Sequence, residues 1–471
     1  MKVLIAVVLG LGIQAFAGNV GRVDLLLQPP HQVEGRPAVH YKIEERLKHY
    51  RVPAVSIAVI RGGKIEWAKA WGHLETGGPE ANAETVFQAA SISKPVAALA
   101  ALHMAQYGNF GLDDDVNAKL KSWKVPASEF KEPVTLRRLL SHSAGLTVHG
   151  FPGYAEGAEI PTVPQILDGA KPANTAGVRV NVEPGSLWRY SGGGYTVAQL
   201  LLADVSGMAF PDLMEKMVLK RIGMSRSVYA QPLPSAWQAN AARGFRADGK
   251  MVEGRWHAYP ELAAAGLWTT PTDLARFAIE VWKSARGESN KVVEKATAVA
   301  MLTRQKDDYG LGLALPGDGA KRRFSHGGSN DGYKCQLEMF VESGDGIVVM
   351  TNGDSGTALT REILRAASEA YGWQDFKSDV KKALKLPPES LAKYAGTYEL
   401  DGMRFRVAEE NGALWAYPPR NQPRVELVPE SEETFFPMAD GMPNVKFLRG
   451  ADGGVNEVEI FRQKAKRVAA K

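Results

Sequence analysis

The stretch Val86-Phe87-Gln88-Ala89-Ala90-Ser91-Ile92-Ser93-Lys94-Pro95 joins a short apolar segment to an Ala- and Leu-rich helix predicted over 92–106. Proline lacks an N–H, so Pro95 is tolerated only near the start of a helix and places that start near Ser91. Residues three apart share a helix face, so Lys94 can reach the Ser91 hydroxyl. A lysine buried there has a lowered pKa and can act as a base, and the helix start offers free N–H groups to an oxyanion. The alternative is that Ser91 caps the helix and Lys94 is exposed; this stretch alone leaves both open.

The Ser-x-x-Lys spacing occurs at three other places, so the spacing by itself indicates nothing. The other pairs are Ser128/Lys131, Ser378/Lys381 and Ser390/Lys393. All three lie in charged or linker-like sequence, which is typical of a solvated surface. Ser91 differs because it follows an apolar segment and opens an apolar helix, and it is therefore the candidate nucleophile.

Composition excludes several classes of protein. The chain has 471 residues, of which 45% are hydrophobic and one is a cysteine. This excludes a disordered chain, a disulfide scaffold and a zinc site built from cysteines. The 57 Lys and Arg residues against 52 Asp and Glu leave a net charge of +5, too weak a field to indicate a nucleic-acid partner. The length allows two or three domains of about 150 residues each.

The first 17 residues have the pattern of a secretory signal peptide. Lys2 is followed by an apolar run over 3–13 and by Ala15-Phe16-Ala17, a small-x-small cleavage pattern. The apolar run is shorter than the roughly 20 residues that span a bilayer. We therefore expect an exported protein, periplasmic or secreted, without a transmembrane segment once the signal is removed. The alternative is a buried N-terminal helix.

Strand-like segments near both ends of the main domain predict an α+β fold. Two lie over 54–61 and 64–72, and two lie over 333–341 and 346–352. One antiparallel sheet would bury all four, with helices over 38–50 and 359–371 against its faces and a mainly helical lobe formed by 110–300. The predicted main domain covers 18–376.

A change of sequence texture after a charged linker at 377–388 predicts a second, all-β domain. Seven short alternating segments occur over 389–463, the spacing of a small sandwich or barrel. Residues 464–471 are predicted to form a solvated basic tail.

Two further segments bring polar groups to places where a substrate could approach. Tyr190-Ser-Gly-Gly-Gly-Tyr195 is a Gly-rich loop that enters an apolar helix, and Ser325-His326-Gly327-Gly328-Ser329 precedes a strand. Paired glycines let a substrate come close to a strand edge. Each segment alone is equally typical of an ordinary loop or hairpin turn.

In their order and spacing, Ser91/Lys94, Tyr190 and His326 resemble the three motifs of the serine β-lactamase and penicillin-binding-protein superfamily. Four more segments resemble parts of its class C-like branch, which includes D-aminopeptidases, carboxypeptidases and β-lactamase-like esterases. They are Leu139–Leu146, Pro184-Gly185, Gly266–Ala275 and Tyr309–Gly312. The resemblance spans roughly 38–373 and implies the β-lactamase/transpeptidase-like fold; the C-terminal domain resembles lipocalin-like modules.

The resemblance implies acyl transfer through a covalent intermediate on Ser91. Lys94 and Tyr190 would share the proton transfers, and which of them is the base stays open. The backbone N–H groups of Ser91 and Ser329 would form the oxyanion hole. Contacts to substrate would come from His326, Gly327, Gly328 and Gly192. The resemblance implies no metal and no cofactor.

Two departures from the family pattern bear on the substrate. Gly192 stands where class C enzymes have Asn, and His326 stands where β-lactamases usually have Lys. A neutral imidazole is a weaker partner for a β-lactam carboxylate than an ammonium group. We expect a small-molecule or peptide acyl donor and favour peptidase or esterase activity. The alternatives are a β-lactamase proper and an inactive penicillin-binding or sensor protein, and the oligomeric state is left open.

Three other features are interpreted as structural. Tyr107-Gly108-Asn109 matches the literal Tyr-x-Asn motif but has the pattern of a helix end. Gly353-Asp-Ser-Gly356 resembles the nucleophile segment of chymotrypsin-type proteases, although no matching histidine segment lies upstream. Cys335 lies in a strand-like apolar run and is predicted to pack in the core.

Overall fold

The computed structural model describes residues 18–419, 422–451 and 453–469. The predicted signal peptide at 1–17 lies outside them. The described chain divides into two compact units, one formed by Val52–Gly356 and the other by residues 18–51 together with 357–469.

The strands, in chain order, are β1 (His31–Val33), β2 (Ala54–Arg61), β3 (Lys64–Gly72), β4 (Phe87–Gln88), β5 (Trp268–Thr269), β6 (Arg323–Asn330), β7 (Tyr333–Phe340), β8 (Gly346–Thr351), β9 (Asp379–Lys381), β10 (Gly396–Leu400), β11 (Met403–Glu410), β12 (Ala413–Tyr417), β13 (Val425–Pro429), β14 (Thr434–Pro437), β15 (Val445–Arg449), β16 (Val455–Ile460) and β17 (Gln463–Val468). The main helices are α1 (Ile43–Tyr50), α2 (Ser93–Gln106), α3 (Leu136–Leu140), α4 (Val163–Asp168), α5 (Gly192–Ser206), α6 (Phe210–Met214), α7 (Lys220–Ile222), α8 (Ser235–Gln238), α9 (Leu262–Ala265), α10 (Pro271–Arg286), α11 (Lys295–Met301), α12 (Gly356–Tyr371) and α13 (Pro388–Leu391).

The first unit is built on a five-stranded antiparallel sheet with the order β3-β2-β8-β7-β6. The predicted joining of strands from both ends of the domain is confirmed, since β2 pairs with β8 and places Ile57 opposite Val349. Seven of the eight β2 residues are buried, as a central strand covered on both faces requires. Helix α10 packs against β2, β3 and β8.

The segment around His326 corrects the prediction of a turn before a strand. Residues Arg323–Asn330 form strand β6 at the sheet edge, paired along their whole length with β7. Polar residues and two glycines remove the alternating apolar pattern by which a strand is recognised in sequence. The motif therefore lies on a rigid strand and not in a mobile loop.

Helix α2 begins where Pro95 indicated. One 3₁₀ turn, Ala90–Ile92, precedes it, and every α2 residue through Met104 is buried. Lys94 is 2% exposed, which overturns the alternative of a helix cap with an exposed lysine. Tyr107 ends this helix and is exposed, so the interpretation of Tyr107-Gly108-Asn109 as a helix end agrees with the structure.

The second unit contains a closed barrel of eight sequential antiparallel strands, β10 to β17. Its interior is a packed core in which Tyr398, Phe435 and Phe447 are fully buried. The prediction of a basic tail at 464–471 is wrong as far as Val468: Gln463–Val468 is the eighth strand and pairs with β10. Four of its six side chains are exposed, so its composition resembles a tail although its backbone is paired. Within the predicted linker, β9 pairs with β1 in parallel.

Helix α1 is anchored inside the same unit by a buried ion pair. Arg46 donates to Glu362 of α12 at 2.6 Å, and the Tyr50 hydroxyl donates to the same carboxylate at 2.7 Å. Burial raises the pKa of Glu362, while its bonds to Arg46 oppose that rise. Removing one partner of such a pair would leave a buried charge uncompensated, which costs about 3–5 kcal/mol.

Candidate active site

Ser91 lies in a backbone turn that is held in a strained conformation. Ala90 has φ = 48°, a left-handed conformation that costs a residue with a side chain about 1–3 kcal/mol. The second serine of the motif secures the turn, because the Ser93 hydroxyl donates to the Ala90 carbonyl at 2.6 Å and accepts from the Leu267 N–H at 3.0 Å. Such strain persists only where the surroundings impose it, and here it sets the position of the Ser91 side chain.

Lys94 is a buried amine in contact with the candidate nucleophile. Its Nζ lies 3.0 Å from Ser91 Oγ and donates to the Ala264 carbonyl at 2.7 Å. Helix α9, which supplies that carbonyl, packs against both α2 and α5. Burial lowers the pKa of Lys94 to about 7. A large fraction of the lysine is therefore neutral at neutral pH and able to accept a proton from Ser91.

Tyr190 reaches the same serine from the opposite lobe. It immediately precedes Ser191, whose hydroxyl caps helix α5 by accepting from the Gly194 N–H at 3.0 Å. Burial raises the pKa of Tyr190 well above its usual range, and a hydrogen bond with the Ser91 side chain opposes that rise. Lys94 Nζ lies 4.9 Å from the centroid of the Tyr190 ring. Because Tyr190 stays protonated at neutral pH, the geometry favours Lys94 as the group that accepts a proton.

His326 faces this cluster from strand β6 as a neutral side chain. Its Nδ1–H donates to the Gly327 carbonyl at 2.7 Å, which leaves Nε2 as an acceptor. Among the described residues Nε2 has no hydrogen-bond partner although it is buried. Burial and, second, the charge of Lys94 lower the pKa of His326 to about 3. His326 therefore offers a lone pair, not a positive charge, to a bound molecule.

The direction of the backbone groups along the edge of β6 bears on Ser329, the second predicted member of the oxyanion hole. Ser325 exchanges hydrogen bonds with Ala314 on the side of the strand away from β7, and alternate residues of a strand point their backbone groups the same way. The Ser329 N–H therefore also points away from β7. Gly328 lets this strand approach the nucleophile turn, since a Cβ there would lie 2.3 Å from the Ala89 carbonyl oxygen. At Gly327 a Cβ would meet the side chain of Gln336 and not the nucleophile turn. Gly327 can therefore offer only its backbone groups to a substrate.

Gly192, the first residue of α5, has no room for a side chain. A Cβ at this position would lie 2.9 Å from Phe151 Cε2 and 3.0 Å from the His149 carbonyl oxygen. The space that an asparagine side chain would need is thus already occupied. The neighbouring loop, which contains His149 and Phe151, is therefore packed in a way that excludes the asparagine found here in class C enzymes.

His142 is a site residue that the sequence analysis missed. Its carbonyl accepts from the Arg189 N–H at 2.8 Å and its Nδ1 accepts from the Ser191 N–H at 3.1 Å, so it holds the backbone on both sides of Tyr190. Its ring lies against the Tyr190 ring with centroids 4.1 Å apart. His142 itself has φ = 57°. The segment Leu139–Leu146 pointed to this region, but only the backbone shows which of its residues meets Tyr190.

We expect His142→Phe to lower kcat by about 10²-fold with a smaller change in KM, because the ring is kept while the acceptor for the Ser191 N–H is lost. The measurement is steady-state kinetics with any acyl substrate that the protein turns over. His103→Phe is the matched control, since His103 is also buried and bonded to a backbone carbonyl, that of Val292. A His142→Phe protein with wild-type kcat would show that Tyr190 is positioned without His142.

With neutral Lys94 taken as the base, the rate is predicted to rise with pH. Its pKa of about 7 predicts that kcat/KM increases about tenfold per pH unit below 7 and is level above it. Burial lowers the pKa of both His326 and His142, so neither titrates in this range. Glu261 is fully buried and its pKa is raised by burial to about 8. Glu261→Gln should therefore keep the rise near pH 7; a rise that disappears in this variant would belong to Glu261.

Other kinds of site have little support among the described residues. These residues contain no cluster of three or more His, Cys, Asp or Glu side chains placed to hold a metal ion. None of their helices alone is long and apolar enough to cross a membrane; the bent pair Gly192–Ser206 and Phe210–Ile222 passes that test by length and composition only. Cys335 is buried with its thiol 3.2 Å from the Gln88 carbonyl oxygen, and burial raises its pKa to about 12.

Comparison with known proteins places this geometry in a family. The family model described as Beta-lactamase matches residues 40–371. Penicillin-binding protein 4* of Bacillus subtilis (strain 168) is 25% identical over 418 residues, covering 84% of this chain and 90% of that protein. Penicillin-binding protein 4 of Amycolatopsis lactamdurans is 22% identical, covering 76% and 95%.

Solved structures share the fold. The octameric penicillin-binding protein homologue from Pyrococcus abyssi superposes with a TM-score of 0.59 at 20% identity, covering 90% of this chain and 98% of that one. EstCE1, a hydrolase with promiscuous acyltransferase activity, superposes with a TM-score of 0.58 at 22% identity, covering 76% and 99%. Both comparisons agree with the α+β fold expected from sequence, and the first extends into the C-terminal unit.

Proposed function

The chain belongs to the beta-lactamase family, and from that premise we propose that it is an exported serine hydrolase that acts on peptide, amide or ester carbonyls in preference to β-lactams. The family supports a serine hydrolase of the penicillin-binding-protein type in general. The choice of substrate rests on the chain's own residues. Export rests on the signal-peptide pattern, and a mature N-terminus at Gly18 in protein recovered outside the cytoplasm would test it.

The proposed reaction starts with neutral Lys94 accepting the Ser91 proton as Ser91 Oγ attacks the substrate carbonyl. The carbonyl oxygen becomes an oxyanion held by the N–H groups of Ser91 and Ser329. Collapse of the tetrahedral intermediate breaks the bond to the leaving group, which takes a proton relayed from Lys94 through Tyr190. Water then attacks the acyl-enzyme carbonyl and gives one proton to this pair. As the second tetrahedral intermediate collapses, the bond to Ser91 Oγ breaks, the pair passes that proton to Ser91 Oγ, and the acid is released.

The observation that carries the preference for peptides and esters is the environment of His326, which is buried, bonded through Nδ1 to the Gly327 carbonyl and without a partner at Nε2 among the described residues. With Nδ1–H committed to the Gly327 carbonyl, Nε2 accepts hydrogen bonds and bears no charge. A β-lactam carboxylate gains nothing from a neutral acceptor, whereas an N–H or O–H of a substrate does. Where class C enzymes have an asparagine, Gly192 provides no side-chain amide, and Phe151 and the His149 carbonyl fill the space beside it. Both features favour peptidase or esterase chemistry.

A hydrolysis panel tests this proposal. We expect p-nitrophenyl esters and D-alanyl peptides to give higher kcat/KM than nitrocefin, with every activity lost in Ser91→Ala. A nitrocefin value above the others would support a β-lactamase proper. Stable penicillin adducts on Ser91 without turnover of any substrate would support a penicillin-binding or sensor protein.

A further inference from the structure

Beside Tyr190 a solvent-open recess of about 380 Å³ is lined by His149, Trp188, Arg189 and Tyr190. We call it the Trp188 recess. Trp188 is 37% exposed, unlike the buried aromatic residues of the core. The volume lies near the lower end of the range of about 300–1,000 Å³ for ligand pockets. It has room for one ring and its linker and not for an extended peptide.

The walls of the Trp188 recess suit an aromatic group. The Trp188 indole and the Tyr190 ring lie 6.4 Å apart between centroids at an angle of 58°, and His149 lies 4.9 Å from Tyr190. Aromatic rings bind one another best in such tilted or edge-on arrangements. Trp188 is held from behind by His142 and Tyr309, at 6.2 and 5.9 Å. The recess is therefore preformed, which lowers the entropic cost of binding a ring.

The charge of the Trp188 recess limits which aromatic groups it can bind. Arg189 is fixed by hydrogen bonds to the Gly145 carbonyl, at 2.7 Å, and to Asn181. None of the four lining residues is acidic. A guanidinium attracts the face of an aromatic ring and repels an ammonium group. The recess should thus favour neutral or electron-rich rings and reject basic side chains.

We propose that the Trp188 recess is a subsite for an aromatic group of the substrate, and that aryl-substituted esters or amides are the preferred acyl donors. This rests on the proposed function, because the recess and the reacting centre share Tyr190. Its ring forms one wall of the recess and lies 4.9 Å from Lys94 Nζ, which is 3.0 Å from Ser91 Oγ. A ring in the recess and a carbonyl at Ser91 would therefore be joined by a short linker.

Three esters test the subsite, with acid release followed by pH-stat titration. Methyl phenylacetate carries the ring on the acyl side, benzyl acetate carries it on the leaving group, and ethyl butyrate has none. We expect kcat/KM for one of the two aromatic esters to exceed that for ethyl butyrate by about tenfold or more. Trp188→Ala should reduce that ratio to about twofold or less, and Trp188→Phe should retain most of it. Tyr107→Ala, which removes an exposed aromatic residue elsewhere on the unit, should leave the ratio unchanged.

Two readouts separate failure of the subsite from failure of the proposed function. Labelling of Ser91 by a fluorophosphonate, seen by intact mass, reports the nucleophile alone; an unlabelled Ser91 contradicts the proposed function. Calorimetry on Ser91→Ala does not depend on turnover and compares phenylacetate with butyrate for the acyl side and benzyl alcohol with 1-butanol for the leaving-group side. Tighter binding of the aromatic member of one pair that is lost with Trp188→Ala supports the subsite. Equal binding within both pairs, or an aryl preference that survives Trp188→Ala, would overturn the inference while leaving the serine hydrolase intact.

Discussion

Replacing Ser91 by alanine is expected to lower hydrolysis of every acyl substrate by about 10⁴-fold or more. Ser91 Oγ lies 3.0 Å from Lys94 Nζ, and alanine has no oxygen with which to form the covalent intermediate. The measurement combines steady-state kinetics with intact mass after a fluorophosphonate, which should leave the variant unmodified.

Ser128→Ala is the matched control for this experiment. Ser128 begins another Ser-x-x-Lys pair, but it lies on an exposed segment. The control should keep wild-type rates and the mass adduct. Wild-type rates in Ser91→Ala would remove Ser91 as the nucleophile, and with it the acyl-enzyme mechanism.

Replacing Lys94 by methionine should cost about 10³-fold in kcat, the scale of a lost general base. The same change should raise stability, because methionine fills a similar space without a buried charge. In the folded protein the pKa of Lys94 is about 7, against an ordinary value near 10.5. Between those pH values the unfolded wild type binds the extra proton, so wild-type stability falls as pH falls from 10.5 to 7 and then levels. The difference in stability between Lys94→Met and the wild type should therefore grow as pH falls from 10.5 to 7.

Melting temperatures measured between pH 6 and 10 test this trade-off. Lys131→Met, in the exposed Ser128/Lys131 pair, is the control and should change neither kcat nor the slope of melting temperature with pH. A Lys94→Met protein that is inactive and also less stable at pH 7 would indicate that the lysine serves the fold and not the reaction.

The features that the sequence predicted correctly are those with a local pattern that has a single physical interpretation. Pro95 fixed the helix start and so the geometry of Ser91 and Lys94, which the structure places 3.0 Å apart. Strand-like segments joined at Gly62-Gly63 located β2 and β3 with the bounds that the structure has. The order of motifs led to the family and the fold. The catalytic roles themselves stay predictions until the variants are measured.

What could not be predicted depends on contacts between distant segments. The glycines and polar residues of β6 give no local strand pattern, and the strand forms along its whole length by pairing with the distant residues of β7. The left-handed backbone at His142 and the occupation of the space beside Gly192 by Phe151 have no local signal. The Trp188 recess is likewise formed by residues 149 and 188–190, which come together only in the fold.

The C-terminal barrel closes where β17, its last strand, pairs with β10, its first strand. We call this junction the seam. A protein shortened to Arg462 would expose the hydrogen-bonding edges of β10 and β16 at once, and two open edges invite chains to join one another. The buried aromatic core of Tyr398, Phe435 and Phe447 would become exposed to solvent through the open seam. Strand β17 is thus required for closing the barrel, and an affinity tag belongs beyond Val468, where it leaves β17 paired with β10.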